Sequence, residues 1–125
     1  VQADHCERAV KASLDMIDMI RLLNLDRLAE GKAEIRIGIG IASGQVIAGY
    51  TGTTRRATYT CVGDTVNLAA RLESHTKVVG KPILIDSTTQ SALSASIRVD
   101  PEGSYQLKGK TTEVQVFSVP LDQKK

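Results

Sequence analysis

Residues 59–73 read YTCVGDTVNLAARLE, and this stretch contains the change of backbone type that organises the chain. The residues before Gly63 have side chains typical of a β-strand, and we predict a strand over 57–62. From Asp64 onward the apolar side chains recur at helical spacing, which predicts an α-helix whose buried face carries Val66, Ala69, Ala70 and Leu72. The stretch is therefore predicted to be a strand that runs directly into a helix.

The segment before this stretch predicts a long helix followed by strands. Apolar residues fall near one helical stripe over residues 3–29, and Asp4 is a candidate N-cap, so we predict one amphipathic helix there. The isoleucines of residues 34–41 alternate along one side, which predicts a strand, and Gly38 and Gly40 lie on its other side. Glycine weakens a strand unless another backbone packs closely against it, so we predict such a close approach here. An apolar run at 46–48 predicts a further strand.

The segment after the second helix predicts shorter elements. We predict a strand over 83–85, a short helix over 87–93 capped by Asp86 or Ser87, and a closing strand over 114–119, with 97–99 and 105–107 as further candidate strands. This order of elements predicts an α+β sheet with helices on one face. No repeat, linker or low-complexity tract interrupts the chain, so we predict a single domain.

Composition and charge limit the classes of protein that fit this chain. Its 125 residues suffice for one domain, and 16 Lys and Arg against 14 Asp and Glu leave a net charge of only +2. That balance gives no support for binding to nucleic acid or to a membrane through bulk charge. No apolar run approaches the roughly 20 residues of a membrane span. Two cysteines, Cys6 and Cys61, are too few to hold a fold together, so we expect a cytoplasmic setting.

Several common catalytic and metal-binding motifs are absent from the sequence. Gly38, Gly40 and Gly44 do not join a strand to a helix, as a dinucleotide-binding loop must, and there is no P-loop. His5 and His75 have no partners at metal-ligand spacing, and we predict that both are solvated surface residues. The sequence thus predicts no metal site within this chain.

The second predicted helix carries the most informative pair of polar residues. Asn67 and Arg71 lie four residues apart, so their side chains project from one face. An amide beside the planar, cationic guanidinium of an arginine suits a phosphorylated ligand. The alternative interpretation is an ordinary exposed polar helix face, which has the same spacing of polar residues. Lys110 stands in a short basic loop that is either solvated or holds a polyphosphate. Arg55 precedes the strand that carries Thr60, whose hydroxyl is able to read a base edge.

Three segments together resemble the class III nucleotidyl cyclase catalytic domain: GIGIASGQVIAG at 38–49, the strand-to-helix stretch at 59–73, and LKGK at 107–110. The resemblance extends over about residues 3–119 and leaves 120–125 as a tail. It implies an α+β, ferredoxin-like nucleotidyl cyclase fold that lacks its N-terminal strands and helices. Residues 1–125 are therefore expected to be a partial catalytic domain.

The resemblance also implies a reaction and a role for each candidate residue. In this family the ribose 3′-hydroxyl of a nucleoside triphosphate attacks the α-phosphate and expels pyrophosphate. Asn67 matches the residue that orients the ribose, and Arg71 matches the one that stabilises the pentavalent transition state. Lys110 matches the lysine that holds the triphosphate, and Arg55 lies where a second phosphate-binding arginine is found. Thr60 occupies the purine-selecting position and favours ATP over GTP, so we predict an adenylate cyclase that makes cyclic AMP.

Part of the family's machinery is expected outside this chain. The two Asp that bind Mg²⁺ or Mn²⁺, and a purine-selecting Lys, belong to strands that in the family precede the helix predicted at 3–29. The family's active sites form between two subunits, so a homodimer partner is implied, and residues 1–125 alone are expected to be inactive. The alternatives are a noncatalytic cyclase-homology module for dimerisation or regulation, a guanylate cyclase, and a generic phosphate-binding domain.

Overall fold

The computed structural model describes residues 4–44, 47–51, 58–106 and 113–123, and for 47–51 and 58–62 it describes the backbone. Within those residues the elements are α1 (His5–Ala29), β1 (Ile39–Ile41), β2 (Ile47–Thr51), β3 (Thr58–Val62), α2 (Asp64–Val79), β4 (Ile83–Asp86), α3 (Ser87–Ser91), β5 (Asp100–Tyr105) and β6 (Val114–Ser118). Among these helices, none combines the length and the apolar character that crossing a membrane requires.

Four of the strands form one sheet in the order β1-β4-β6-β5. β1 lies parallel to β4, while β6 is antiparallel to both of its neighbours. The other two strands, β2 and β3, form an antiparallel hairpin in which Gly49 is the partner of Thr60. A single residue separates the end of β3 from the start of α2. The hairpin is therefore tied directly to the helix that follows it.

The two long helices pack on opposite faces of the four-stranded sheet, so the prediction that helices lie on one face is wrong. Val10 of α1 packs with Ile83 and Ile85 of β4. Leu72 of α2 packs with Leu84 of the same strand. Because successive side chains of a strand point to opposite faces, these contacts put the helices on either side of the sheet. The continuous apolar run in β4 is what a strand covered on both faces needs.

Gly38 and Gly40 allow α2 to lie directly on β1 and the residues before it, and the predicted close approach of another backbone is confirmed. A β-carbon built on Gly40 would lie 2.5 Å from the backbone nitrogen of Glu73 and 2.9 Å from Cβ of Leu72. A β-carbon on Gly38 would lie 3.1 Å from Cβ of Thr76. The distances at Gly40 are shorter than real β-carbons show, so a larger residue at position 40 would push α2 away from the sheet.

The strand predicted over 34–41 is shorter in the structure, where residues 39–41 alone form a ladder. The ladder does not extend upstream on the β4 side, where Pro82 has no N–H to donate. Further upstream, the Asn24 side chain occupies both backbone groups of Ile35. Its amide donates to the carbonyl oxygen at 2.9 Å, and its oxygen accepts from the N–H at 2.8 Å. Those groups are therefore not available to a neighbouring strand.

The prediction of a strand at 97–99 is wrong, because the backbone of this segment forms hydrogen bonds with the side chain of Gln123 and not with a neighbouring strand. The N–H of Arg98 donates to Oε1 of Gln123 at 2.9 Å, and its carbonyl oxygen accepts from Nε2 of the same residue at 2.9 Å. The guanidinium of Arg98 also donates to the carbonyl oxygen of Asp122 at 2.6 Å. These bonds attach the segment after α3 to residues 122–123.

β5 starts three residues later than that candidate strand and has an unfavourable composition for a strand. It contains Pro101 and Gly103, residues that weaken strands, and its pairing with β6 shifts register between them. The shift is a β-bulge in which Glu102 has no partner in the ladder with β6, although its carboxylate accepts a hydrogen bond from the hydroxyl of Ser118 at 2.6 Å. The candidate strand at 105–107 overlaps β5 at its last residue, Tyr105, and residue 107 lies outside the described residues.

The other predicted elements are confirmed to within a few residues at each end: the helix at 3–29, the strands at 57–62, 83–85 and 114–119, and the helices starting at 64 and 87. The carboxylate of Asp86 caps α3 by accepting from the N–H of Thr89 at 3.0 Å. Asp4 occupies the N-cap position of α1, but its carboxylate makes an ion pair with Arg8 at 3.0 Å and no capping bond.

We expect Gly40→Ala to lower the free energy of unfolding by about 2–3 kcal/mol, because the added β-carbon would overlap the backbone of α2. Urea unfolding followed by circular dichroism measures this change. Gly31→Ala is the control: no atom lies within 4 Å of a β-carbon there, and only the φ of 76° is unfavourable. That backbone cost is about 1 kcal/mol. Equal losses in the two variants would show that Gly40 is not needed for the close approach.

Candidate active site

Gly63 connects the strand that carries Thr60 to the helix that carries Asn67 and Arg71. Its φ of 137° and ψ of 171° lie in a backbone region that is essentially restricted to glycine. This conformation lets α2 begin at once, and the carbonyl oxygen of Gly63 accepts a hydrogen bond from the N–H of Asn67 at 3.1 Å. The strand and the helix therefore meet at a defined junction.

Asn67 and Arg71 lie one turn apart on the exposed side of α2. Their β-carbons are about 5–6 Å apart in a regular helix. Both side chains are exposed, and within the described part of the chain neither forms a hydrogen bond or an ion pair. Leu72, next to Arg71, is fully buried and fixes the helix against the sheet. The structure thus shows the two side chains on one exposed face, and their roles stay a prediction.

His75 continues the row formed by Asn67 and Arg71, four residues further along. Each step of four residues turns about 40° around a helix of 3.6 residues per turn, so by His75 the row has turned toward the sheet. The ring of His75 lies edge to face against Tyr105, with the ring centroids 4.4 Å apart. The predicted solvated position of His75 is wrong: the side chain is half-buried and its Nε2 is shielded from solvent. His5 is exposed, as predicted.

Tyr105 brings the end of β5 beside this row, since it is the last residue of that strand. The segment LKGK follows it closely in the sequence. Lys110 and Arg55 themselves lie outside the described residues, and for Thr60 the structure describes the backbone alone. The structure therefore brings together the two predicted residues of α2 and leaves the three other site residues as predictions.

Acidic residues do not form a metal site in the described part of the chain. No group of three or more His, Cys, Asp or Glu side chains there is arranged to hold a metal ion. Asp64 and Glu73 lie on α2, and both are exposed. Mg²⁺ is usually held by carboxylates that converge on one point. The described residues therefore do not fit the pair of divalent ions that the resemblance implies.

A groove of about 600 Å³ lies away from the row, at the far end of α2. It runs between the C-terminal half of α1 and residues 76–82, with Ile20, Leu28 and Ile35 among its apolar lining and Arg36 and Lys81 among its cations. None of the three row residues lines it. We therefore do not assign nucleotide binding to this groove.

Sequence reasoning missed the contact between His75 and Tyr105. The sequence does contain a signal, because His75 stands at the same four-residue interval from Arg71 as Arg71 does from Asn67. The strand that ends at Tyr105 contains a proline and a glycine, which disfavour strands, so the sequence did not indicate that Tyr105 is the partner of His75.

Residues 1–119 match the family model of the adenylate and guanylate cyclase catalytic domain. The chain therefore belongs to this family, as the resemblance in its sequence implies. Adenylate cyclase 1 of Rhizobium meliloti (strain 1021) is 30% identical over 115 residues. That match covers 92% of this chain and 17% of the Rhizobium protein, so the chain corresponds to a small part of it.

Two solved structures of cyclases share the fold. The guanylyl cyclase Cya2 is 33% identical with a TM-score of 0.84, and the match covers 94% of this chain and 59% of that one. The adenylyl cyclase CyaB from P. aeruginosa is 30% identical with a TM-score of 0.84, covering 94% and 60%. The α+β cyclase fold is thus confirmed, and the chain spans about three fifths of these two structures. Since one is a guanylyl and the other an adenylyl cyclase, the comparisons support the nucleotidyl cyclase family without distinguishing ATP from GTP.

Proposed function

We propose that this chain is the part of an adenylate cyclase catalytic domain that binds the nucleotide and stabilises the transition state. The observation that carries the proposal is the pair Asn67 and Arg71, exposed on one face of α2 with no bond to other described side chains. Membership of the cyclase family supports the reaction class. An exposed arginine on a firmly packed helix suits a reaction whose difficulty is the build-up of charge on phosphate.

The proposed reaction converts ATP to cyclic AMP and pyrophosphate. The ribose 3′-oxygen forms a bond to the α-phosphorus, and the bond from that phosphorus to the oxygen bridging to the β-phosphate breaks, so that pyrophosphate leaves. The proton of the 3′-hydroxyl is released to solvent. Negative charge is distributed over the phosphoryl oxygens in the transition state. The guanidinium of Arg71 would meet this charge with parallel N–H donors. Because Leu72 anchors α2, little reorganisation is needed when the charge develops.

The other site residues are proposed to hold and orient the substrate. The amide of Asn67 both donates and accepts hydrogen bonds, so it suits the polar groups of the ribose. Lys110 and Arg55 are proposed to bind the triphosphate, where their positive charges offset the negative charges of the phosphates. Each of these contacts holds the 3′-oxygen near the α-phosphorus, and that proximity lowers the entropic part of the barrier.

We propose ATP as the substrate because Thr60 occupies the purine-selecting position. Its hydroxyl can accept a hydrogen bond from the amino group of adenine. Cys61, the residue type that the resemblance associates with guanylate cyclases, falls one residue later when positions are counted back from Gly63. A guanylate cyclase is the second candidate, because the chain is similar to cyclases of both kinds.

The remaining parts of the site are proposed to come from outside these 125 residues. Two divalent ions, Mg²⁺ or Mn²⁺, supply positive charge for activating the 3′-hydroxyl and binding the triphosphate when they are bound. Their Asp ligands, and the purine-selecting Lys, are proposed to lie elsewhere in the complete enzyme. A second copy of the protein is the proposed partner, since the resemblance implies an active site shared between two subunits.

We expect Arg71→Ala in the complete enzyme to lower kcat for ATP about 100-fold while KM changes little, because the guanidinium acts mainly in the transition state. Arg71→Lys keeps the charge without the fork and should give an intermediate rate. Lys77→Ala, at an exposed cation on the same helix, is the control and should stay within about twofold. Steady-state assays of cyclic AMP formation measure all three. A wild-type rate in Arg71→Ala would contradict the role, and an inactive wild type would favour the noncatalytic module.

We expect Thr60→Ala in the active dimer to raise KM for ATP and to reduce the preference for ATP over GTP, because the base loses a hydrogen-bond acceptor. The loss of one such bond corresponds to about a tenfold change. Thr58→Ala, the same change on the same strand, is the control. Competition assays with both nucleotides measure the preference. If KM and base preference are unchanged in Thr60→Ala, Thr60 does not select the base.

We expect residues 1–125 alone to form no measurable cyclic AMP from ATP and Mn²⁺, because the metal-binding Asp are proposed to lie outside them. Circular dichroism of the same sample establishes that it is folded. The complete enzyme, assayed in parallel, provides the positive control. Robust cyclic AMP production by the folded 125-residue chain would contradict the proposed division of the active site.

A further inference from the structure

His75 of α2 has a buried ring nitrogen to which no role has yet been assigned. It is half-buried, and its Nε2 is shielded from solvent without a hydrogen-bond partner in the described part of the chain. A buried polar nitrogen without a partner costs free energy, so its presence calls for a compensating contact. The contact that the structure offers is the edge-to-face arrangement with Tyr105, at 4.4 Å between ring centroids and 63° between ring planes.

Tyr105 is a firm support for that contact. It packs against the buried cluster formed by Leu72, Leu84 and Val116, which joins α2 to the sheet. Aromatic pairs in this geometry contribute attraction beyond the area they bury. The ring of His75 therefore rests on a residue whose own position is fixed by the core.

The contact lies on the opposite flank of α2 from the glycine contacts. Thr76 and the backbone of Glu73 face Gly38 and Gly40, at the edge of the sheet that β1 forms. His75 faces β5, which forms the other edge. A helix supported at both flanks cannot roll about its own axis without losing one of the two contacts. Since Arg71 stands one turn before His75, such a roll would change the direction in which its guanidinium points.

We infer that His75 is a positioning residue for Arg71. The imidazole acts through its shape, as an aromatic edge that sets the rotation of α2 against Tyr105, and the guanidinium is thereby aimed at the reacting phosphate. This inference rests on the proposed function, in which Arg71 acts on the transition state. Because Nε2 has no partner among the described residues, a phenyl ring at this position should replace the imidazole.

The test measures kcat and KM for ATP in the complete enzyme carrying His75→Ala or His75→Phe. We expect His75→Ala to lower kcat about tenfold or more with KM within about twofold, because a small misplacement of a catalytic group mainly affects the transition state. We expect His75→Phe to restore kcat to within about twofold of the wild type. Val79→Ala, which removes another partly buried side chain of α2, is the matched control for general loosening of the helix.

A second measurement asks whether His75 acts through Arg71. If it does, His75→Ala added to Arg71→Ala should change kcat by less than about twofold, since the group being aimed is already absent. Thermal unfolding of the His75→Ala, Tyr105→Leu and double variants should show that the two losses are not additive, which reports the ring contact without any assay of activity.

Each opposite result overturns the inference. If His75→Phe is as impaired as His75→Ala, an imidazole nitrogen is required and the ring does not act by shape. If Val79→Ala lowers kcat equally at a similar loss of melting temperature, the role is merely structural. If His75→Ala lowers kcat by the same factor in the Arg71→Ala background as in the wild type, His75 does not act through Arg71. A wild-type enzyme that forms no cyclic nucleotide would refute the proposed function, and the positioning role with it. An active wild type whose kcat is unchanged by His75→Ala would refute the positioning role alone.

Discussion

The backbone of α2 lies so close to β1 that only hydrogen is tolerated at position 40. A β-carbon there would come within 2.5 Å of the nitrogen of Glu73. This close approach lets Leu72 reach the core of the sheet, while Asn67 and Arg71 are exposed on the other side of the helix. Because helix and sheet are in backbone contact, their separation does not depend on flexible side chains. The exposed groups of α2 therefore stand on a rigid base, which is the condition for stabilising charge with little reorganisation.

The candidate site arises from one continuous piece of chain. β3 carries Thr60, Gly63 turns the backbone, and α2 then presents Asn67 and Arg71 in successive turns. A single segment would thus contribute a contact to the base, one to the ribose and one to the phosphate in the proposed complex. Local chain geometry sets the spacing among these residues, since the strand and the helix are joined by one residue of defined conformation.

Features with a short-range physical cause were predictable from the sequence. The helical spacing of residues 64–79, the apolar run of β4 and the glycines facing α2 each appear in the sequence itself. Features set by distant side chains were not: Gln123 binds both backbone groups of Arg98 and prevents a strand there. The burial of His75 depends in the same way on Tyr105, 30 positions away in the sequence. The apolar run of β4 indicates a strand covered on both faces, but no local pattern shows that α1 covers one face and α2 the other.

The bulge in β5 decides which side of the sheet Tyr105 occupies. Pro101 pairs with Phe117, which packs on the α1 side, and an unbroken alternation would place residue 105 on that same side. Because Glu102 has no partner in the ladder, it advances the alternation by one residue, so that Tyr105 pairs with Val114 and joins the α2 side. One extra residue in an edge strand thus reverses the face of the sheet to which each later side chain of that strand points. Without this reversal, Tyr105 would not lie beside His75.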